Sequence, residues 1–571
     1  MRKTVTGIRI VTLLVAVCIS GSLAAPFAGA AYTPPYDTFR IGLYYDSTAL
    51  PSANLQNVSG YGSGFEFGYF NSNREFISIG ADTDETRISM LMDRNMTWYP
   101  GDGGGAGEYR EGTGGDVVVG CYHIQLSGKY NSFEDANAEA KKYQNAFVRY
   151  QSEQFLVLVG QYTTRDAANS AIASQGFNGA EVNAGTSNTI AVTKTGTNTI
   201  LFEYDMGSTR LGVMPKQINN EKPVTYFRNF QYTGGFQYAR MSGLLITVVN
   251  MVAVEDYVKG ILPYEMNNAW PLEALKAQAC CARTYAFSTI NRHSSNGFDL
   301  CVTEHCQVYR GRGSANERTD QAVEETAGMY ITYNGELCQT YYASSNGGAS
   351  ESVENVWNTP LPYLRGVVDP YEAEACGNMS SYRWTITYTQ DQITERLRSR
   401  GYSCSTIVSI VVTQFTPTGN VLTVTMTDSK GKKLTFSKRG ELITALGVPT
   451  QRFNIGGASP GDSVIYVNDP AQQVSSSSLY YAIDANGELV ALPDEIYAID
   501  ASGSVTLVEG ERIAPSGGST TGLVNGVFTI RGTGRGHLVG MSQYGAYSMA
   551  KYHDMDFVEI IKFYFTGVEV G

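Results

Sequence analysis

The sequence predicts an α+β protein of several domains, in which a β-rich region with a few helices follows a small α/β domain. Three observations support this fold class. Apolar runs typical of strands recur along the chain, for example at 39–45 and 244–254. A long stretch that begins at Pro271 has apolar residues at helical spacing. A strand pattern followed by a helix pattern also occurs twice in succession over 117–168.

The length and composition agree with a folded chain of several domains. The 571 residues correspond to about three to five domains of roughly 100–200 residues each. Apolar residues make up 43% and charged residues 17%, which excludes a charge-rich disordered chain. The formal net charge of -12 argues against a broad basic face, so we expect no nucleic-acid partner.

The N-terminus reads as a secretory signal peptide over residues 1–30. Three basic residues open the chain, a mostly apolar segment follows over 10–25, and the small residues at 28–30 fit a cleavage site. We therefore expect a secreted or cell-envelope protein that has no membrane span once the signal is removed. The alternative is that this segment remains as a short membrane anchor.

Two segments precede the repeated strand-helix pattern. Residues 31–100 form a predicted N-terminal β-rich segment, which contains the strand-like run at 39–45. The glycine-rich stretch at 101–116 is typical of a linker or loop. This stretch therefore predicts a boundary before the unit that follows.

The repeated pattern lies in a predicted domain at 112–200. Apolar runs at 117–126 and 155–162 each precede a helix start, with Ser132 and Thr164 in the N-cap positions. Each half resembles half of a SPOR domain, which has an apolar strand, a short polar turn and a helix that contains alanine. The resemblance implies binding to peptidoglycan glycan strands that lack stem peptides. The alternative is a packing module without a ligand.

The C-terminal part of the chain carries more specific patterns. A strand-like run at 244–254 precedes the segment 261–266, and Pro271 then occupies the first position of a predicted helix. The charged residues Lys276 and Arg283 fall off the buried stripe of that helix. The stripe consists of Leu272, Leu275, Ala279, Ala282, Ala286 and Ile290.

Four longer stretches of this part serve as motifs. They are VEDYVKGILPYEMNNAWPLEALKAQACCARTYA (254–286), CVTEHCQVYRG (301–311), YYASSNGGASESVENVW (341–357) and GRGHLVGMSQYGAYSMA (534–550). With them the chain resembles the SpoIID/LytB family over about 236–570. The resemblance implies a SpoIID-like domain at 225–571 with a β-rich insertion at about 464–520. Asn267 stands where the family usually has proline, and Leu538 where it usually has glycine.

The family resemblance implies one of two functions. Some members are lytic transglycosylases that cleave peptidoglycan glycan strands without stem peptides, as in sporulation. Others are named as modifiers of amidase activity. We therefore expect denuded glycan strands as the main partner, and a second cell-wall hydrolase such as an amidase as a further one.

Glu265 is the candidate catalytic residue. It is a lone carboxylate among mostly apolar and aromatic neighbours, and an apolar setting raises the pKa of a carboxyl group and keeps it protonated as a general acid. Ordinary glycosidases need two carboxyl groups, whereas a lytic transglycosylase can use one that first gives and then takes a proton. The resemblance places the family's catalytic glutamate at Glu265. The alternative, a glutamate favoured by the dipole at a helix N-terminus, fits Glu273 better.

His293, Cys301, His305 and Cys306 form a candidate metal site. Two imidazoles and two thiols within a short stretch match the donors of a closed tetrahedral zinc site. The family resemblance also implies zinc at positions of this kind. The metal would be structural, because four protein ligands leave no position for a substrate. The alternative is a disulfide between Cys301 and Cys306, since the protein is expected to be exported.

Several further residues are candidates for substrate binding. Paired glycines let backbone approach a ligand closely, and hydroxyl and amide groups can hold sugar hydroxyls. The alternatives are a tight turn at 344–348 and plain helix packing around 540–546. The candidates are Lys276, Arg283, Ser344, Ser345, Asn346, Gly347, Gly348, His537, Gln543 and Tyr544.

These features favour an exported lytic transglycosylase that acts through Glu265. A non-catalytic glycan binder that enhances an amidase is the second hypothesis, and it has no need of a carboxyl group in an apolar setting. A zinc-dependent hydrolase is a third. It would require an open coordination position, and four protein ligands argue against that.

Overall fold

The computed structural model describes most of the chain after the expected signal peptide. It covers residues 32–101, 107–177, 180–207, 209–240, 245–357, 359–456, 522–524 and 526–571, with the backbone of six short strands between 464 and 507. The predicted signal peptide and most of the predicted insertion lie outside the described residues. The described part contains several sheets and groups of helices, and this confirms the α+β class.

The helices lie mostly in the C-terminal half. Among the described residues, none of them combines the length and the hydrophobicity that crossing a membrane requires. In chain order they are α1 (Phe133–Ala140), α2 (Arg165–Gln175), α3 (Val254–Glu265), α4 (Leu272–Ser288), α5 (Glu317–Glu325), α6 (Val353–Val356), α7 (Glu372–Cys376), α8 (Gln390–Ser399), α9 (Lys438–Leu446), α10 (Gln543–Tyr552) and α11 (Phe557–Tyr564).

A seven-stranded sheet joins the N-terminal segment to the C-terminal region. Its strands, in spatial order, are Leu300–Cys301, Thr38–Tyr44, Ile246–Ala253, Gly235–Arg240, Leu211–Pro215, Phe65–Phe70 and Phe76–Thr83. Thr38–Tyr44 pairs antiparallel with Ile246–Ala253, so both strands predicted at 39–45 and 244–254 are confirmed. The second of these strands leads directly into α3. The N-terminal segment therefore supports, through this strand pairing, the strand that precedes α3.

The repeated pattern folds as strand, helix, strand, strand, helix, strand within a ten-stranded sheet. The predicted caps are confirmed: Ser132 accepts the N–H of Asp135 at 3.1 Å and Thr164 that of Ala167 at 3.2 Å. The sheet continues past the limits predicted for this domain. Its strands, in spatial order, are Glu181–Asn183, Tyr122–Tyr130, Gln154–Tyr162, Ala146–Gln151, Ile200–Asp205, Ile190–Lys194, Arg87–Met92, Ser52–Asn57, Thr225–Phe227 and Phe230–Tyr232.

A buried ionic cluster ties the strands of this sheet together. Arg149 Nη2 lies 2.6 Å from Glu203 Oε2, and His123 Nε2 lies 3.2 Å from Glu203 Oε1. Burial alone would raise the pKa of Glu203, but Arg149 and His123 lower it to about 2. Asp93 lies close enough to His123 and Glu203 to share a cation with them. Because Arg149 already neutralises Glu203, we interpret the cluster as a structural ion-pair network.

The region between residues 383 and 533 has its own hydrophobic core, which α8 and α9 cover. One sheet contains Arg383–Thr389, Val527–Thr533, Phe453–Ile455 and Leu523–Val524. A second contains Ile407–Phe415, Val421–Asp428 and Lys433–Ser437. In the range of the predicted insertion, three pairs of short strands are described: Val464–Tyr466 with Gln473–Ser475, Tyr481–Ile483 with Leu489–Ala491, and Tyr497–Ile499 with Val505–Leu507.

Smaller sheets complete the described strands. Met96–Tyr99 lies between Glu108–Glu111 and Val118–Val119. Ile331–Tyr333 lies between Glu336–Leu337 and Glu569–Val570. Tyr342–Ala343 pairs in parallel with Met541–Ser542, and this short pairing brings two of the sequence motifs together.

Helix α4 lies at the centre of a helical core formed with α3, α5, α10 and α11. The helix predicted from Pro271 is confirmed, with Pro271 as its N-cap residue. The sequence did not predict α3, because Gly260 and Pro263 lie inside it and both disfavour helix. Gly260 is needed there, since a Cβ atom would lie 2.4 Å from the ring of Tyr309.

Candidate active site

Glu265 is the last residue of α3, and its largely buried carboxyl group is held by three parts of the chain. It accepts hydrogen bonds from the backbone N–H of Val308, the hydroxyl of Tyr342 and the side-chain amide of Gln543. The donors come from three of the four sequence motifs, and Glu265 belongs to the remaining one. The structure thus brings Glu265 and Gln543 together, as a common site requires.

Burial raises the pKa of the Glu265 carboxyl above its ordinary value. The three hydrogen bonds oppose this rise because they favour the ionised form. Glu304, on the loop that precedes Val308, adds to the rise because it carries a like charge. The environment therefore favours a protonated carboxyl group and also provides donors that can stabilise the carboxylate once the proton has left. A group of this kind can act first as an acid and then as a base.

The partners of Glu265 are themselves fixed by hydrogen bonds. The amide of Gln543 donates to Gln278 Oε1 on α4 at 3.3 Å. The hydroxyl of Tyr342 accepts from Gln307 Nε2 at 3.1 Å, and Gln307 in turn accepts from Tyr257 at 3.3 Å. These contacts leave the Tyr342 hydroxyl proton for Glu265. Sequence reasoning did not single out Tyr342 or Val308, since their role depends on contacts between distant segments.

The four predicted metal ligands lie together. The candidate ligand atoms of His293, Cys301, His305 and Cys306 all lie within 4.8 Å of one another. Cys306 Sγ lies 3.5 Å from His293 Nε2 and 3.7 Å from His305 Nδ1, and Cys301 Sγ lies 3.8 Å from His305 Nδ1. Nitrogen and sulfur ligands of tetrahedral zinc are separated by about 3.6 Å. The donor set therefore fits a zinc ion.

The thiol groups of this cluster are free in the structure. A hydrogen bond with Cys306 lowers the pKa of the Cys301 thiol well below its ordinary value, which favours a thiolate. Cys301 lies at the edge of the seven-stranded sheet, opposite Gly42 of Thr38–Tyr44. His293 follows the end of α4 by five residues and is the N-cap of a short 3-10 helix.

The loop that contains the four candidate metal ligands continues into residues that contact the candidate active site. Gln307 and Val308 follow Cys306 in sequence, and they contact Tyr342 and Glu265 respectively. Any ion held by the four ligands would fix the segment that supplies these two contacts. The cluster can therefore influence the carboxyl group through the order of this loop.

The loop at 344–348 faces inward, which corrects part of our prediction. Ser345 and Asn346 are buried, at 4% and 2% exposure. The N–H groups of Asn346 and Gly347 donate to Glu372 at 2.5 and 2.7 Å. Ser345, Asn346 and Gly347 therefore act within the protein and do not face a substrate, whereas Ser344 and Gly348 remain partly exposed.

Asp369 and Glu372 are a buried acidic pair that sequence reasoning missed. Glu372 also accepts the hydroxyl of Ser542, the residue before Gln543. Asp369 accepts the side-chain amide of Asn346 at 2.8 Å and the hydroxyl of Tyr564 at 2.6 Å. Burial and the neighbouring Asp369 raise the pKa of Glu372 to about 8. The pair holds the 344–348 loop against the start of α10.

Lys276 and Arg283 are engaged in ion pairs. Arg283 is fully buried and pairs with Glu255 on α3, with Nη2 2.5 Å from Oε2. Our substrate-binding prediction for Arg283 is therefore wrong, because its guanidinium group has no exposed surface. The ammonium group of Lys276 lies 2.8 Å from Glu273 and 2.6 Å from Glu325.

His537 and Tyr544 lie next to the partners of Glu265. The ring of His537 hydrogen-bonds to the backbone of Tyr342, and its Nδ1 accepts the N–H of Val539 at 3.1 Å. Burial and the charge of Arg439 lower the pKa of His537 to about 4, so the ring is neutral at neutral pH. Tyr544 is partly exposed, and its ring centroid lies 5.0 Å from that of Trp270.

Leu538, one of the two departures from the family pattern, has a backbone φ of +66°. Glycine adopts this left-handed region without cost, whereas a leucine is strained there. The side chain of Leu538 is nevertheless 1% exposed. Its burial compensates for the strain in the turn that carries His537.

The chain is similar to a known family model and to several known proteins. A family model described as "Stage II sporulation protein" (SpoIID) matches residues 243–333, which include α3, α4 and the four candidate metal ligands. An uncharacterized protein of Brachyspira hyodysenteriae is 30% identical over 341 residues, which cover 60% of this chain and 72% of that protein.

Two relatives with functional names come from Bacillus subtilis. The protein named amidase enhancer is 30% identical over 316 residues, 54% of this chain and 39% of that protein. Stage II sporulation protein D is 29% identical over 164 residues, 26% of this chain and 47% of that protein. The chain thus spans less than half of each of these two relatives.

Proposed function

Because this chain belongs to the SpoIID/LytB family, we propose that it is an exported lytic transglycosylase that cleaves peptidoglycan glycan strands lacking stem peptides. The observation that carries this proposal is the environment of Glu265. Its carboxyl group has a raised pKa because of burial, and three donors are aimed at it. The expected signal peptide supports an envelope location for the substrate.

The proposed reaction needs only this carboxyl group. Glu265 donates its proton to the glycosidic oxygen, and the bond between that oxygen and the anomeric carbon breaks with the electron pair leaving on oxygen. The resulting carboxylate then takes the proton of the 6-hydroxyl group of the same muramic residue. The 6-oxygen bonds to the anomeric carbon, and a 1,6-anhydro end forms without consuming water. The carboxyl group is regenerated in its protonated state.

The surrounding residues support both halves of this cycle. Val308, Tyr342 and Gln543 stabilise the carboxylate that exists between the two proton transfers. His537 is neutral at neutral pH, so its proposed contribution is to hold Tyr342 in place and not to transfer a proton. Ser344, Gly348 and Tyr544 are partly exposed next to these groups and remain candidates for contact with sugar hydroxyls.

We further propose a structural zinc ion at His293, Cys301, His305 and Cys306. A bound zinc ion would supply cross-linking of the loop, with no free coordination position for chemistry. The separations of 3.5–3.8 Å between nitrogen and sulfur atoms support this assignment. The ligand residues then keep Val308 and Gln307 in their contacts with the site.

The doubled strand-helix unit around α1 and α2 is proposed to bind glycan strands as a SPOR-like domain. The helix caps at Ser132 and Thr164 and the strand order support the repeat on which the resemblance rests. Such a unit would concentrate the protein on strands from which amidases have removed the peptides.

A second candidate function is enhancement of an amidase without catalysis. The similarity to the amidase enhancer of Bacillus subtilis favours it. The two hypotheses differ in the need for Glu265, since a binding protein gains nothing from a largely buried carboxyl group with a raised pKa.

Product analysis tests the proposed function directly. The mature protein is incubated with peptide-free glycan strands, and the products are separated and weighed by mass spectrometry. We expect 1,6-anhydromuramic ends, which are lighter than reducing ends by one water. Reducing ends alone would instead indicate a hydrolase with a second carboxyl group. Intact strands, together with a faster reaction of an added amidase, would establish the enhancer function.

A further inference from the structure

A group of aromatic side chains lies beside the candidate active site, and of these only Tyr544 has been given a proposed role above. The ring centroid of Trp270 lies 5.0 Å from that of Tyr544 and 5.1 Å from that of Tyr547. The ring centroid of Tyr547 lies 6.2 Å from that of Tyr552. We call these four residues the aromatic platform. Together they form a continuous run of rings.

The platform is continuous with the group that holds Glu265. Gln543, which donates to the Glu265 carboxyl group, is the first residue of α10, and Tyr544 follows it. Tyr547 lies one turn further along the same helical face as Tyr544. The rings therefore extend away from the reacting carboxyl group along α10.

The rings of the platform are partly open to solvent, although Trp270 also packs against the core of the C-terminal helices. Tyr552 is 50% exposed, and Trp270, Tyr544 and Tyr547 are each partly exposed, although the same helix buries Ala546 and Met549 completely. An amphipathic helix normally presents charged residues on its outer face. Large aromatic rings in that position are typical of a binding surface.

Trp270 is positioned by its own turn. Asn267, the second departure from the family pattern, accepts the N–H of Ala269 with its side chain at 2.9 Å and the N–H of Trp270 with its backbone at 3.0 Å. Arg318 Nε donates to the carbonyl of Trp270 at 2.9 Å. These bonds fix the backbone at Trp270, and its ring packs against Tyr544 and Tyr547. Order of this kind before any ligand binds lowers the entropic cost of binding.

The platform also carries a cation. The ammonium group of Lys551 lies 4.9 Å from the ring centroid of Tyr547 and 5.0 Å from that of Tyr552. Among the residues that the structure describes, no carboxylate pairs with it. Its Nζ donates to the hydroxyl of Tyr547, which holds the ammonium group in place. In a chain with a net charge of -12, this cation offers a place for an anionic group.

We propose that the aromatic platform and Lys551 bind the glycan strand next to the cleaved bond and select strands without stem peptides. This inference rests on the proposed function for the identity of the glycan. A pyranose ring presents a face of C–H groups that packs against an aromatic ring, while its hydroxyl groups reach polar groups at the rim. A muramic residue has a lactyl carboxyl group, which is an uncharged amide while a peptide is attached and a carboxylate after the peptide is removed. Lys551 beside the platform is placed to attract this lactyl carboxylate, whereas the carboxylates of an attached stem peptide lie further from the sugar ring.

Two variants test the two parts of the proposal in the full chain. Trp270→Ala should raise KM for peptide-free strands about tenfold with kcat nearly unchanged, because the ring binds but does not react. Lys551→Met should remove the preference for peptide-free over peptide-bearing strands while strand binding itself persists. Tyr61→Ala is the matched control, since Tyr61 is an exposed tyrosine at 44% and lies outside the platform.

Binding is also measured without catalysis, by titrating peptide-free strands into the Glu265→Gln protein and following tryptophan fluorescence. Tyr547→Ala in this background keeps the test valid if Trp270→Ala fails to fold. Unchanged affinity in both folded platform variants, or unchanged selectivity in Lys551→Met, overturns the proposal. If the wild-type protein binds strands through the platform but never cleaves them, the proposed activity fails and the platform stands.

Discussion

Glu265 and Gln543 share a hydrogen bond although they belong to the first and last motifs of the C-terminal region. The same Gln543 amide donates to Gln278 on α4, which follows the turn after Glu265. One amide therefore fixes the carboxyl group to the helix that packs against α3. The position of the acid depends on the whole C-terminal region rather than on its local sequence.

Glu265→Gln should reduce cleavage of peptide-free strands by about 10²–10⁴-fold, because an amide cannot give and take the proton. The rate of release of anhydro ends measures the effect. Glu324→Gln serves as the control, since Glu324 is an exposed carboxylate on α5 that pairs with Lys259. Equal rates for wild-type and Glu265→Gln proteins would remove Glu265 from the mechanism.

The raised pKa of Glu265 also predicts how stability depends on pH. Between the ordinary pKa and the raised one, the folded protein binds more protons than the unfolded chain, so stability falls as pH rises through that interval. Glu265→Gln removes this titration. We expect a higher Tm than wild type near neutral pH and a difference that shrinks toward about pH 4. A wild-type Tm that exceeds the variant's most at neutral pH would contradict the shift.

Purified protein should contain about one zinc ion per chain. Cys306→Ser should lower both the metal content and the Tm, because metal binding contributes to the folding free energy of the loop. Elemental mass spectrometry and thermal unfolding provide the measurements. Cys404→Ser is the matched control, since Cys404 is a free cysteine that lies outside the four-residue cluster. Metal-free, fully stable protein with a Cys301–Cys306 disulfide would exclude the zinc site.

Glu203→Gln should destabilise the folded state by about 3–5 kcal/mol, because it leaves the buried charge of Arg149 without its partner. Denaturant unfolding of the full chain measures this change. Glu181→Gln is the control, since Glu181 lies exposed on the edge strand of the same sheet. A loss below about 1 kcal/mol, the range of surface pairs, would show that the cluster contributes little.

Leu538→Gly should be more stable than Leu538→Ala, which reverses the usual order of the two residues. Both variants lose the buried side chain, at a cost of about 3–5 kcal/mol. Only glycine also relieves the left-handed backbone at φ +66°, which recovers about 1–2 kcal/mol. Within helices and strands, glycine lowers the free energy of unfolding by about 0.5–1 kcal/mol relative to alanine. Denaturant unfolding gives the free energy of unfolding of each variant. An alanine variant that is the more stable of the two would contradict the prediction.

Local signals in the sequence predicted α4, the caps at Ser132 and Thr164 and the clustering of the four candidate metal ligands. These features depend on residues that are close in the chain, such as the capping hydroxyls and the short spacing of the ligands. The apolar neighbours of Glu265 in the sequence also predicted an apolar setting for its carboxyl group. The structure places this group in a largely buried setting.

Features that depend on distant contacts were missed or predicted wrongly. Helix α3 contains Gly260 and Pro263, and its packing against Tyr309, α4 and α5 explains why a helix forms there. Arg283 falls off the apolar stripe, but α4 is surrounded on all sides and Glu255 neutralises the buried charge. Asp369 and Glu372 gave no sequence signal, because their role depends on Asn346 and Ser542 from other segments.

The pairing of Thr38–Tyr44 with Ile246–Ala253 also sets the timing of assembly during synthesis. The first strand leaves the ribosome long before its partner is made, at rates of about 5–20 residues per second. Until Ile246–Ala253 has been synthesised, Thr38–Tyr44 lacks this partner strand. Helix α3, which carries Glu265, follows Ile246–Ala253 directly and forms later still. The arrangement around Glu265 is therefore completed only after Gln543, which donates to its carboxyl group, has been synthesised.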